Sequence, residues 1–264
     1  MNSIVLDSVG KIFCHRPTLF NWFGNERAGA TRALDDVSLK VAAGDILVIL
    51  GPNGSGKTTT LKLISTLLLP DSGQVFVNGF EPRKHLNEVR RRVSFAIASE
   101  RSFFPRLSAR ENLDFFAALD DVPRSQRASR IADLLDYTGL SEVADMLVMK
   151  FSSGMYQRLA IARALLKCPS VILLDEPTRS LDPAAAIDVT DLVRRLSGAG
   201  TTVVVATHSF AEAAALNANV LILLHGRVVA RLQSATHDPD WLRDFYFHAT
   251  GEIGRLELAQ ETVA

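Results

Sequence analysis

The sequence predicts an α/β fold around a mainly parallel sheet, and three observations carry that expectation. A Gly-rich loop joins an apolar run to a helical pattern. Short continuous apolar runs alternate with helical stretches through the second half of the chain, the arrangement of strands covered by helices on both faces. The middle of the chain has mostly helical spacing.

Taken in order, residues 4–9 and 33–41 read as strands, the second alternating in Val37, Leu39 and Val41 before Gly44-Asp45 turns the chain. Between them, 14–31 form a polar insert bearing Phe20, Trp22 and Phe23, either a surface for a partner or membrane or a segment packed on its own domain. Ile46-Leu47-Val48-Ile49-Leu50 is a third strand that runs into Gly51, Pro52, Asn53, Gly54, Ser55, Gly56, Lys57 and Thr58. Residues 58–69 are helical in spacing and stop at Pro70-Asp71-Ser72-Gly73. Short strands follow at 74–79 and 93–98.

From 108 to 149 the pattern is helical, with apolar residues three and four apart over 110–119 and again over 131–137. This block reads as a helical lobe inserted in an α/β chain. Alternation then resumes: a helix over 154–166, a buried strand over 171–174, a helix over 184–196 and a strand over 202–207. A short helix over 210–216 and a strand over 220–224 follow, and Gly226 turns the chain into Val228-Val229. The tail, from about 234 to 264, is polar with one aromatic cluster, Trp241, Phe245, Tyr246 and Phe247, and is expected to form a short helix packed on the body.

Composition narrows the function. Charged residues make up 22% of 264 and balance to a formal net charge of +0, so no global field argues for nucleic acid. Cys14 and Cys168 are far apart without metal-ligand spacing, which predicts free thiols in a reducing compartment. No apolar run approaches the roughly 20 residues needed to span a bilayer. The start, Met1 to Asp7, lacks a basic segment leading into an apolar core, so no leader is expected. A soluble, cytosolic chain is predicted, and any membrane part must come from another polypeptide.

The loop from Gly51 to Thr58 has the spacing G-x-x-x-x-G-K-[ST] between a strand and a helix. Its glycines let successive N–H groups face one point, and the helix that follows adds unpaired N–H groups and the positive end of its dipole. A nucleoside triphosphate is expected there, with Thr59 completing the first turn. Lys57 would reach the β- and γ-phosphates, and the Thr58 hydroxyl would take one position on Mg²⁺. Val171-Ile172-Leu173-Leu174-Asp175-Glu176 places two carboxylates at a strand end that faces the γ-phosphate in such folds. Asp175 would hold Mg²⁺ and Glu176 would polarise the attacking water. Phe151-Ser152-Ser153-Gly154-Met155 opens a helix that Ser152 can cap, with Gly154 allowing a phosphate to approach. It is either a second anion site, serving a nucleotide bound by another copy, or an ordinary capped helix. Ser180-Leu181-Asp182 follows the carboxylates closely, and His208 ends the strand at 207, where it could report the γ-phosphate.

In this order the motifs make the chain resemble the ATP-binding subunits of ABC transporters, over about residues 4–231. The phosphate loop matches that family's Walker A motif and 171–176 its Walker B strand. Phe151 to Met155 match its signature motif, Ser180 to Asp182 its D-loop and His208 its switch histidine. The resemblance implies a P-loop NTPase (RecA-like) core with a mainly parallel sheet, a small antiparallel β-subdomain and an inserted helical subdomain at about 99–166. The cassette would span 1–233 and the short tail 234–264. It further implies ATP and Mg²⁺ as ligands, with two identical or related subunits closing head to tail around two ATP molecules. Each ATP would sit between one phosphate loop and the other subunit's Ser152, Gly154 and Asp182. Transmembrane permease subunits on a separate chain would be driven from the cytoplasmic face of the inner membrane.

Three positions depart from the family pattern. The signature, usually Leu-Ser-Gly-Gly-Gln, keeps its serine and second glycine only. Where the family has a glutamine that touches Mg²⁺, this chain has Ser99 followed by Glu100, either of which offers an oxygen. Phe13 is the candidate for the aromatic that stacks on adenine. The run 100–107 and the Ser-Gly-Met-Tyr-Gln-Arg signature are similar to those of bacterial exporters of drugs, lipids or polysaccharides, and the insert before Ala33 is similar to that of polysaccharide exporters. The competing class is a soluble ABC-type ATPase acting on nucleic acid or the ribosome. Its members usually hold two cassettes or a long coiled coil, and this chain has one cassette and no heptad run, so no nucleic-acid partner is expected.

Overall fold

The computed structural model describes residues 2–14, 30–96, 102–233 and 238–251. Strands β1 (Asn2–Cys14) and β2 (Ala30–Ala42) form an antiparallel hairpin whose register ends with Phe13 opposite Thr31 and Cys14 opposite Ala30. Both run beyond the 4–9 and 33–41 expected from apolar pattern. The added residues are held by backbone pairing with little burial, Ile12 and Phe13 being 39% and 37% exposed, so they leave no hydrophobic signal. The insert expected at 14–31 therefore springs from the tip of this hairpin. Its residues 15–29, Phe20, Trp22 and Phe23 among them, lie outside the described residues.

Strand β3 (Ile46–Leu50) leads through the Gly-rich loop into helix α1 (Lys57–Ile64), and β4 (Ser72–Val77) returns to pair with β1. The order β2-β1-β4 makes a three-stranded antiparallel sheet. Helix α1 stops at Ile64, short of Leu69. Thr66 takes a left-handed φ of 67°, and the Leu68 N–H donates to the Lys62 carbonyl at 3.0 Å, so the chain leaves the helix axis while apolar residues continue.

Helix α2 (Leu86–Arg92) and strand β5 (Val93–Ala96) follow, then α3 (Ala109–Leu119) and α4 (Arg124–Tyr137). The Ser108 side chain accepts from the Glu111 N–H, and the Glu111 carboxylate takes the Ser108 N–H at 2.7 Å, a capping box that starts α3. The second half runs α5 (Ser153–Leu165), β6 (Val171–Asp175), α6 (Pro183–Gly198), β7 (Thr202–Thr207), α7 (Phe210–Leu216), β8 (Asn219–Leu224), β9 (Arg227–Leu232) and α8 (Pro239–Thr250). In α8, Tyr246 packs edge-on against Phe210 of α7, with ring centroids 5.4 Å apart.

The larger sheet has six strands in the order β5-β6-β7-β3-β8-β9. Its first five are parallel and β9 pairs antiparallel at the edge. Alternate residues of one strand feed two separate cores: Val48, Leu50, Ile172, Leu174, Val203 and Val205 point to one face, and Leu47, Ile49, Val171, Leu173 and Val204 to the other. Burial on both faces is why these strands read as unbroken apolar runs. Among the described residues, no helix is long and apolar enough to cross a membrane.

Candidate nucleotide-binding site

The loop from Gly51 to Gly56 has glycine where a side chain has no room. A Cβ on Gly51 would lie 2.2 Å from the Leu223 carbonyl oxygen, and one on Gly56 2.6 Å from that of Ala33. Gly54 and Gly56 also have φ of 81° and 108°. Gly56 caps α1 and supplies no side chain to its first turn, so the orphan N–H groups and the dipole's positive end are left for an anion. Ser55 sits beneath the loop with its carbonyl accepting from the Gly226 N–H at 3.0 Å, which fastens the loop to the β8–β9 turn.

Lys57, only 5% exposed, is the first residue of α1. Its Nζ donates to the Gly51 carbonyl at 2.7 Å and the Pro52 carbonyl at 3.2 Å, and lies 3.5 Å from Glu176 Oε1. Thr58 Oγ1 donates to Asp175 Oδ2 at 2.7 Å. Asp175 ends β6 in register with Ala206 of β7, and Glu176 follows in the left-handed region at φ 50°, its N–H on the Ala206 carbonyl at 2.8 Å. Glu176 Oε2 is 2.7 Å from His208 Nδ1 and 3.5 Å from the Thr207 hydroxyl. Lys57, Thr58, Asp175, Glu176 and His208 thus meet above the carboxyl ends of three adjacent strands, the place where open α/β sheets bind ligands.

A cavity of about 810 Å³, large enough for a nucleotide, opens over Lys57, Thr58, Asp175 and Glu176, and His208 stands behind Glu176 outside its lining. The cavity is lined by Pro52, Asn53, Gly54, Gly56, Lys57, Thr58 and Thr59, by Asp175 and Glu176, by Phe13 and Arg32 of the hairpin, and by Ser153 and Tyr156 of α5. A loop with no room for a Cβ at Gly51 or Gly56, one buried ammonium and the hard oxygens of Thr58 and Asp175 suit a triphosphate with Mg²⁺.

Other expected site residues have different surroundings. Ser152 caps α5, its Oγ accepting from the Met155 N–H at 3.2 Å, and its neighbour Ser153, not Ser152, lines the cavity. Gly154 is buried, and a Cβ there would meet Ala185 Cβ at 2.8 Å, so close packing of α5 on α6 within one chain already requires glycine. Asp182 caps α6, accepting from the Ala185 N–H at 3.0 Å. Ser99 and Glu100 lie outside the described residues.

The sequence did not single out Arg32, Thr207 or Glu212. Arg32 reaches the cavity only through the hairpin register. Thr207 was in view beside His208, a hydroxyl at the same strand end. Glu212, on α7, is 6% exposed, and burial pushes its carboxyl above its ordinary range.

The family model described as ABC transporter matches residues 34–179. The daunorubicin/doxorubicin resistance ATP-binding protein DrrA of Streptomyces peucetius is 40% identical over 200 residues, covering 76% of this chain and 60% of its own length. The ABC transporter ATP-binding protein NatA of Bacillus subtilis is 35% identical over 206 residues, covering 78% of this chain and 84% of its own. The chain therefore spans about 60% of the length of the first of these relatives. A dimeric ATP-binding cassette solved in a post-hydrolysis state with ADP and Pi is 28% identical with a TM-score of 0.73, covering 88% of this chain and 99% of that one.

Proposed function

Because this chain belongs to the ABC transporter family, we propose that it is the ATP-binding and ATP-hydrolysing subunit of an exporter, acting on transmembrane permease subunits carried by a separate chain. The observation that carries the reading is the meeting of Lys57, Thr58, Asp175, Glu176 and His208 at one mouth of the sheet. Residues 1–233 act as the cassette, with a helical subdomain at about 99–166, and 234–264 as a short tail.

In this reading the loop N–H groups and Lys57 bind the phosphates, and Phe13, at the cavity rim, stacks on the base. Thr58 Oγ1 and Asp175 would hold Mg²⁺, with Ser99 or Glu100 as a further oxygen donor. When bound, the ion neutralises charge building on the phosphoryl oxygens. Glu176 accepts the proton of the attacking water. His208, at 2.7 Å from Glu176 Oε2, orients that carboxylate and can contact the γ-phosphate. Two copies close over two nucleotides, Ser152 and Gly154 of one facing the phosphate loop of the other, and hydrolysis releases the contacts that hold them closed. The work is done at the cytoplasmic face of the inner membrane.

Support for export comes from relatives named for daunorubicin and doxorubicin resistance, Nod factor export and lipoprotein release. The substrate class, a drug, lipid or polysaccharide, follows the exporters to which the run 100–107 and the signature are similar. Affinity purification from membranes tests the partner: an integral membrane protein should co-purify with Mg²⁺-dependent ATPase activity. Recovery of ribosomes or nucleic acid instead would sink the transport reading in favour of a soluble ATPase.

A further inference from the structure

Among the described residues, Arg32, Lys57 and Arg179 are the cations that line the nucleotide cavity, and the first two are already committed within the chain. Arg32 pairs with Asp35 at 2.8 Å. Lys57 donates to two backbone carbonyls and stands 3.5 Å from Glu176. Arg179 differs: it is exposed, and among the described residues its guanidinium has no hydrogen-bond or ion-pair partner. The carboxylates of the lining, Asp175 and Glu176, face Thr58, Lys57 and His208 instead. A nucleoside triphosphate keeps a net negative charge even with Mg²⁺ bound, and Arg179 is the cation in the lining that is left to answer it.

An exposed arginine is ordinarily a solvated one. What sets Arg179 apart is how firmly its backbone is held at the cavity wall. Its N–H donates to the Glu176 carbonyl at 3.1 Å, and the Leu181 N–H donates to the Thr178 carbonyl at 3.2 Å. Ser153 Oγ, from α5, donates to the Ser180 carbonyl at 3.4 Å, and Ser180 itself is in the left-handed region at φ 63°. A tight turn therefore fixes the start of the Arg179 side chain three residues beyond Glu176, while its charged end stays free to take up a ligand. That end of the cavity, where Lys57 and Glu176 meet, is where the terminal phosphate must lie if Glu176 faces the attacking water. The planar guanidinium fork matches two phosphoryl oxygens at once.

We propose that Arg179 is a catalytic residue that contacts the γ-phosphate of the nucleotide held in its own chain's cavity. It stabilises the charge on the γ-phosphoryl oxygens during transfer. In the step it serves, the oxygen of water bonds to the γ-phosphorus and Glu176 takes the water's proton. The bond from that phosphorus to the β–γ bridging oxygen breaks, its electron pair leaves with ADP, and inorganic phosphate is released. Arg179 stays charged throughout and exchanges no proton. The proposal rests on the hydrolytic role given to Glu176, and it adds a γ-phosphate contact that binding alone reports.

The test uses the purified full chain with Mg²⁺, measuring the Kd of a non-hydrolysable ATP analogue and of ADP by calorimetry, kcat from phosphate release, and the melting temperature. Arg179→Ala should weaken the ATP analogue about 10-fold, the worth of a charge-assisted hydrogen bond at an exposed site. ADP, which lacks the γ-phosphate, should stay within about twofold of its wild-type Kd. Turnover should fall about 100-fold, the low end for loss of one oriented donor to a reacting oxyanion. The melting temperature should match wild type, because an exposed side chain without a partner leaves nothing unpaired behind. Arg179→Lys keeps a charge but not the fork, so it should recover the preference for the ATP analogue over ADP and only part of kcat. An Arg179→Ala protein whose preference for the ATP analogue over ADP is within about twofold of wild type would overturn the proposal, as would one whose kcat is within about threefold. A wild-type chain that binds the analogue but releases no phosphate would reject the hydrolytic reading, and the preference for the analogue over ADP would still decide whether Arg179 touches the γ-phosphate.

Discussion

Glu176→Gln separates binding from chemistry most cleanly. The amide has the shape of the carboxyl, so the backbone at φ 50° and the Ala206 bond are undisturbed. Lys57 keeps its two carbonyl acceptors, Gly51 at 2.7 Å and Pro52 at 3.2 Å, and loses only the charged part of a 3.5 Å contact. Nucleotide affinity should therefore hold or rise, since one negative charge has left the neighbourhood of the γ-phosphate. Proton acceptance is a different matter, because an amide cannot take a proton from water near neutral pH. General-base catalysis contributes about 10²–10⁴ in rate, or about 3–5 kcal/mol of barrier. Steady-state phosphate release should fall by that factor, while fluorescent nucleotide titration gives an unchanged or lower Kd. The variant should also accumulate as a closed dimer on gel filtration with ATP. Turnover within about threefold of wild type would remove Glu176 from the proton-accepting role, and lost binding would mean that the carboxylate shapes the phosphate loop.

Two further substitutions test the loop itself. Lys57→Ala deletes the buried ammonium, and calorimetry should show ATP affinity about 10- to 100-fold weaker, the worth of a charge-assisted hydrogen bond of about 1.5–3 kcal/mol; unchanged affinity would contradict the assignment. Gly51→Ala places a methyl 2.2 Å from the Leu223 carbonyl oxygen, so the strand or the loop must shift. Thermal melting should record a loss of about 1–3 kcal/mol together with weaker nucleotide binding, and a wild-type melting temperature would show that the loop has more room than its geometry implies.

Elements with a strong period were legible before any coordinates. The apolar runs 46–50, 171–174 and 202–207 are strands because both faces are buried, and burial writes itself into sequence as Val, Leu and Ile. Features held by backbone geometry were not legible. The hairpin extends to Cys14 and Ala30 through hydrogen bonds between exposed residues, and α1 ends at a left-handed Thr66 that apolar spacing does not announce. Gly154 shows the opposite hazard. Its place in a helix opening suggested room for a phosphate, yet its missing Cβ is also where Ala185 packs, and a single sequence cannot divide the two demands.

The site itself was half legible for a topological reason. Motif order follows the chain, from loop to Asp175-Glu176 to His208, whereas adjacency follows the sheet, where β7 lies between β3 and β6. Lys57 and Glu176 are brought to 3.5 Å only because the chain threads β6 one place outward and returns with β7 beside β3. That interposition gives the β7 exit its role. Thr207 and His208 stand between the strand that delivers the phosphate loop and the strand that delivers the carboxylates, so whatever fixes the β7 exit also fixes Glu176.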